Sequence, residues 1–282
     1  MYARVPASSA NLGPGFDTLA VALELYVEVT LEPADEFSIT SSGAGAGLFD
    51  DERHMAAVVA RDVLGHDRFS LHVNSEIPLA RGLGSSAALA VAAAAAAGAP
   101  DPFVVATRVD GHPENAAASR LGGLVAAGRD AAGVMEARIL ELDFAWRFVV
   151  VVPDQELVTG DARAVLPEVV PFADAVANLN ALGLLIAGLA DHEAFSVGSM
   201  NDRLHQPYRS ALLPFAEPLL SALRDAGASG SAWSGAGSSM IALCTEATSS
   251  PVAQAARSFL AEHSMGGEVW TLEADRQGLV TL

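Results

Sequence analysis

Pro78-Leu79-Ala80-Arg81-Gly82-Leu83-Gly84-Ser85-Ser86-Ala87-Ala88 decides how this chain is read. It leaves a strand pattern, passes through a turn of glycine and serine, and enters an alanine-rich helix. Gly82 and Gly84 let the backbone bend and approach a ligand, and the first N–H groups of the following helix, at its positive dipole end, face whatever is bound. The arrangement suits an anion, and phosphate first. Read alone, the same string is also a helix start capped by Ser85 or Ser86. All 16 basic residues are arginine, which excludes the Walker-type phosphate loop with its lysine and also Schiff-base chemistry through a lysine. Backbone amides, hydroxyls and a metal ion are left to hold the phosphate.

The chain has 282 residues and a formal net charge of −18, with room for two domains. Such a charge argues against nucleic acid as a partner. An anionic ligand then needs local arginines, amides and Mg²⁺ to set the potential of its cleft. The single cysteine, Cys244, sits in an apolar Ile-Ala-Leu-Cys run that reads as a buried strand, so a reactive thiol is not expected. The opening residues lack the apolar core of a signal peptide, and the alanine run 87–99 is too short to span a bilayer. A cytoplasmic protein that engages no membrane is expected, and a homodimer is left open.

Outward from the loop, alternation at 25–31 and 69–75 predicts strands with one buried face. Met55, Val58, Val59 and Val63 share one face of a helix between them, and the Gly-Ala-Gly-Ala-Gly run at 43–47 reads as a loose connection. Helical patterns at 102–109 and up to Leu121 precede strands from Gly123, at 134–142 and at 147–152. Beyond about residue 143 the order restarts as strand, helices around 172–190 and 215–226, strands 229–234 and 239–245, helix 251–263 and strand 268–273. An α+β chain is implied, divided into 1–143 and 144–282.

Two further strings accompany the loop. Pro6-Ala-Ser-Ser-Ala-Asn-Leu-Gly-Pro-Gly-Phe-Asp17 carries Asn11 and Asp17, which read locally as side chains closing turns in a loop; Ser234-Gly-Ala-Gly-Ser-Ser239 reads as a glycine hairpin. Together, and in this order, the three strings resemble the GHMP small-molecule kinases. Asn-Leu-Gly-Pro-Gly-Phe-Asp, Gly111-His-Pro-Glu-Asn, Thr159-Gly-Asp-Ala-Arg163 and Pro207-Tyr-Arg209 are similar to the homoserine kinase branch of that family.

The resemblance implies an N-terminal domain like ribosomal protein S5 domain 2 and a ferredoxin-like C-terminal domain. It implies ATP-dependent phosphorylation of L-homoserine to O-phospho-L-homoserine, in threonine biosynthesis. Residues 78–88 would wrap the ATP phosphates. Ser86 and Asp110 would hold Mg²⁺, with aspartate standing where the family carries glutamate. Asp17 would meet the substrate's ammonium beside Asn11, and Arg163 and Arg209 its carboxylate. His112, Thr159, Gly235 and Gly237 would line the same site. Asn115 would orient the alcohol without taking its proton, so that Ser86, Asp110 and Asn115 form the catalytic group. Ser238 stands where the family usually has proline, which suggests a freer loop. A GHMP kinase for another small alcohol, or a non-catalytic GHMP-fold binding protein, are the competing readings.

Overall fold

The computed structural model describes residues 1–282. The first half runs β1 (Tyr2–Asn11), β2 (Gly15–Pro33), β3 (Ser38–Gly43), α1 (Met55–Leu64), β4 (Phe69–Ser75), α2 (Ser85–Ala96), α3 (Pro102–Asp110), α4 (Pro113–Leu121), β5 (Leu124–Arg129) and β6 (Met135–Leu140). The second runs β7 (Arg147–Pro153), α5 (Thr159–Ala164), α6 (Phe172–Ala190), α7 (Gln206–Arg209), α8 (Ala216–Asp225), β8 (Gly230–Trp233), β9 (Met240–Cys244), α9 (Glu246–Glu262), β10 (Gly267–Leu272) and β11 (Val280–Thr281).

Two sheets result. In the first, β1 pairs with β11 and β2, β2 continues onto β4 and β5, β6 extends β5, and β3 lies parallel to β4 at the edge. The second is antiparallel in the order β10-β7-β9-β8. Numbered within the second half this is 4-1-3-2, the ferredoxin-like arrangement of a split βαβ unit. The chain is thus of mixed α and β structure, with helices covering both sheets.

β7 shows why the halves do not behave as separate bodies. Its run of valines is apolar at every position, the signature of a strand buried on both faces. Phe148, Val150 and Val152 join the large core of 53 buried residues, which is built mainly from the first half. Val149 and Val151 point the other way, into a smaller core with Leu219, Trp233 and Phe259. Burial on that second face also encloses Cys244 and raises its thiol pKa to about 11.

Several expectations change. Most of the first motif is strand rather than loop: residues 6–11 lie in β1, 15–17 open β2, and Ala7, Ser8, Ser9 and Ala10 are buried. Its alanines and serines offer no contrast between alternate positions, so period two is invisible there. β3 was missed for a related reason, being a short edge strand of serine and threonine. The 143/144 division separates the sheets only as far as Leu272. The tail then crosses back, Leu23 bridging Ala274 and β11 pairing with Ala3 and Arg4.

Candidate active site

Every backbone N–H from Gly82 through Ala87 lacks an acceptor within the chain. The N-cap of α2 is Gly84, left-handed at φ 64°, and no side chain caps the helix, so Ser85 and Ser86 are not spent as caps. A β-carbon at Gly84 would run into Ser8 Oγ and lie 3.0 Å from Asn115 Oδ1. Glycine is therefore required both for its conformation and for the close approach of the loop to β1 and α4.

The three strings are tied to one another. Ser234 Oγ donates to Gly82 O at 2.7 Å and lies within hydrogen-bond distance of Ser9 Oγ, at 2.8 Å. Gly235 N donates to Ala10 O at 3.0 Å, Asn11 Nδ2 to Gly235 O at 2.8 Å, and Ser239 N to Arg81 O at 3.1 Å. Ser238 Oγ donates to Gln155 O, so serine tethers the loop where greater freedom was expected. Between these strands and loops lies a cavity of about 680 Å³, within the range that holds small ligands.

One end of the cavity is charged. Arg163 Nη2 donates to both oxygens of Asp17, at 2.7 and 2.9 Å, so the residues expected to take opposite ends of a zwitterion face each other. Arg209 is buried, donating from Nε to Ala162 O at 3.0 Å and from Nη1 to His205 Nδ1 and Gly235 O at 3.0 and 3.3 Å. Its Nη2 keeps no protein acceptor. Both guanidinium groups stand over the Phe16 ring, at 5.6 and 5.3 Å, and His205 stacks on that ring at 5.0 Å. Burial lowers the His205 pKa to about 4, which leaves a neutral ring to donate from Nε2 to Gly13 O at 2.9 Å and accept from Arg209.

Beside this cluster, α3 ends at Asp110 and α4 begins at Pro113. Asp110 Oδ2 lies 3.1 Å from His112 Nδ1, and that hydrogen bond raises the His112 pKa despite burial. Asn115 Oδ1 accepts from Ser8 Oγ at 2.9 Å. Glu114, not foreseen as a site residue, is 2 % exposed, lines the cavity, and holds one carboxylate oxygen without a partner. Asn115 Nδ2 donates to the other at 3.3 Å. Burial first, then the nearby Asp17 and Asp110 carboxylates, raise the Glu114 pKa to about 7. Its identity was in plain view within the Gly111-His-Pro-Glu-Asn string; its isolation from partners was not.

Asn11, Asp17, Ser86, Asp110, His112, Asn115, Thr159, Arg163, Arg209 and Gly235 all line the cavity. Asn11 is a strut as well, since it also accepts from Asp17 N at 3.1 Å. Gly237 does not line it: this glycine sits behind the loop, against Trp233 and Leu213. Of residues 78–88, only Leu79, Ala80, Gly82, Gly84, Ser85 and Ser86 reach the cavity. Leu83, Ala87 and Ala88 are buried in the large core, and Arg81 turns to Asp154 O and Glu156. Pro78 lies outside the wall too. Phe49, His54, Gly45 and Leu89 also line it, so the supposed loose connection at 43–47 contributes to the wall.

For Mg²⁺, the donors fit. Ser86 Oγ has only the weak acceptor Met55 Sδ at 3.3 Å, and it and the Asp110 carboxylate offer oxygen donors on the same cavity, the type a hard cation requires.

Comparison with known proteins agrees with this geometry. The GHMP kinases N terminal domain matches residues 53–100 and the GHMP kinases C terminal domain residues 175–262. The chain is 39% identical over 261 residues to homoserine kinase of Carboxydothermus hydrogenoformans, covering 86% of this chain and 84% of that one. It is 37% identical to homoserine kinase of Desulfitobacterium hafniense, across 99% of both. The crystal structure of homoserine kinase from Cytophaga hutchinsonii superposes with a TM-score of 0.87 at 27% identity, covering all of this chain and 97% of that one.

Proposed function

Because the chain belongs to the homoserine kinase branch of the GHMP kinases, we propose that its cavity joins ATP and L-homoserine for phosphoryl transfer. The protein is a kinase that makes O-phospho-L-homoserine and ADP. The observation that carries this reading is that Gly82, Gly84, Ser85 and Ser86, whose N–H groups are unpartnered, line the same cavity as Asp17, Arg163 and Arg209. The first feature suits a polyphosphate, the second a small zwitterion.

A zwitterionic amino acid fits the Asp17–Arg163 pair head to tail, its ammonium on the carboxylate and its carboxylate on the guanidinium, with Arg209 Nη2 as second donor. The apolar side chains of Phe49 and Leu89 in the wall suit an adenine ring. Ser86 and Asp110 would hold Mg²⁺, which would neutralise phosphate charge when bound. Transfer then depends on positioning: the free amides fix the phosphates and Asn115, anchored on Ser8, orients the alcohol. Asn115 cannot accept a proton. We assign the alcohol's proton to the Glu114 carboxyl, which lines the cavity beside Asn115 and whose pKa burial raises to about 7. The reaction belongs to threonine biosynthesis in the cytoplasm, with neither membrane nor nucleic acid as a partner.

A coupled ADP-release assay with homoserine, shikimate, mevalonate and galactose tests the assignment. Mg²⁺-dependent turnover confined to homoserine is expected. Turnover of another alcohol with none on homoserine would move the chain to a different substrate. Nucleotide binding without turnover on any of them would make it a non-catalytic binding protein.

A further inference from the structure

His205 joins the two segments that carry the charged groups of the cavity, although it does not line the cavity itself. Asp202 fixes its backbone at the start of α7, accepting from Leu204 N at 2.8 Å, His205 N at 3.0 Å and Gln206 N at 2.6 Å. Four residues on, Arg209 lies on the same face, with its Nη1 3.0 Å from His205 Nδ1. At the other edge of the ring, Nε2 is 2.9 Å from Gly13 O, in the turn between Asn11 and Asp17. A carbonyl can only accept, so Nε2 carries the proton and Nδ1 is left as an acceptor. The ring is fully buried and stacks on Phe16, over which both guanidinium groups stand.

We propose that His205 is a positioning residue for the substrate's amino-acid head: it holds the Arg209 guanidinium and the turn before Asp17 in the one arrangement that meets a carboxylate and an ammonium of the same ligand. The role rests on the assignment of Asp17 and Arg209 to the substrate given above. Nε of Arg209 is spent on Ala162 O, and Nη1 on His205 Nδ1 and Gly235 O, so only Nη2 is left for a ligand. A planar guanidinium recognises a carboxylate only in the correct plane, and these bonds set that plane. The acceptor's lack of charge matters as much as its place. A carboxylate at position 205 would orient the guanidinium too, but it would also neutralise it and compete with the carboxylate of the ligand. The nearby acids are engaged elsewhere: Asp17 faces Arg163, and Asp202, 3.5 Å from Nε2, accepts from three backbone N–H groups. Burial keeps the ring neutral. A neutral imidazole therefore directs Arg209 and leaves its charge for the substrate.

Two substitutions separate the edges of the ring. His205→Asn offers an amide oxygen where Nδ1 accepts from Arg209 and gives up the bond to Gly13, whereas His205→Gln reaches Gly13 with its amide N–H and gives up the acceptor. With ADP release as the readout, His205→Gln should raise the KM for L-homoserine about 10-fold or more, the scale of a lost bond to a charged group, while kcat falls by less than about 3-fold. His205→Asn should recover most of that loss. On L-homoserinamide, which lacks the carboxylate, wild type and His205→Gln should differ little. Nitrogen NMR of the wild type, which needs no variant to fold, should find the His205 proton on Nε2. A proton on Nδ1 would overturn the proposal. So would equal losses on homoserine and its amide, or KM values that follow the melting temperatures of the two variants rather than the presence of the acceptor. A wild type inactive on homoserine would overturn the substrate assignment itself, and the role of His205 with it.

Discussion

Glu114 shows how a single side chain takes its chemistry from its surroundings. A carboxyl group in water loses its proton near 4.5, and burial holds this one until about 7. Between those values the folded chain binds the proton and the unfolded chain does not, so this group's contribution to stability falls as pH rises through the window. Above 7 the folded state carries a buried charge with one oxygen unpaired. Glu114→Gln removes that charge, so it should stabilise the protein at pH 8 by up to about 3 kcal/mol and by progressively less toward pH 5. Thermal melts across that range measure it. Activity should move the opposite way: if Glu114 takes the alcohol's proton, kcat should drop by about 100-fold, at the low end for general-base catalysis, and lose its acid limb near pH 7. A variant with wild-type kcat and an unchanged pH profile would remove Glu114 from proton transfer and leave its effect purely one of stability.

At the scale of elements, α2 does the most for the site while contributing least as a side-chain surface. Its alanines are buried and allow β1, α1, α3 and α4 to pack closely around it, which fixes the direction of its N-terminus. Gly84 sets the last degree of freedom. Gly84→Ala meets both a left-handed backbone and a β-carbon collision with Ser8 Oγ, so it should destabilise the chain by roughly 1–3 kcal/mol and displace the amides facing the phosphates. The expected signature is a raised KM for ATP together with a lowered melting temperature. Gly111→Ala is the comparison: its φ is also positive, at 82°, but nothing lies within 4 Å of its β-carbon position. It should lower the melting temperature with less effect on ATP. Equal KM values for both variants would show that the loop does not depend on this close approach.

Over the whole molecule, the active cavity lies where the two sheets are bound into one body. Motif one from β1 and β2, the loop before α2 and the turn between β8 and β9 hydrogen-bond to one another, and β7 divides its side chains between both cores. Loss of either core should therefore remove the other. Heat unfolding should be a single transition in which calorimetry and tryptophan fluorescence share one midpoint, since Trp146 reports on the large core and Trp233 on the small one. Two resolved transitions would show the halves to be independent. ATP and homoserine together should raise the common midpoint, because the ligands bind only the assembled cavity.

Much of this protein was legible in its sequence. β4 and β7 were readable because apolar periodicity and β-branched runs are local properties, and the helices because propensity and caps act over a few residues. The glycine loop was readable because left-handed turns and helix N-termini use recurring residues, and the three strings in order pointed to the kinase family. The tertiary structure alone decided that Asp17 faces Arg163 across 146 residues of chain, that Gly237 and Ala88 stand behind the site, and that the tail returns to the first sheet. It alone left a carboxylate oxygen of Glu114 unpaired and one face of α6 bare. These are matters of burial and of partners distant in sequence, and they exist only once packing has excluded water and brought remote segments together.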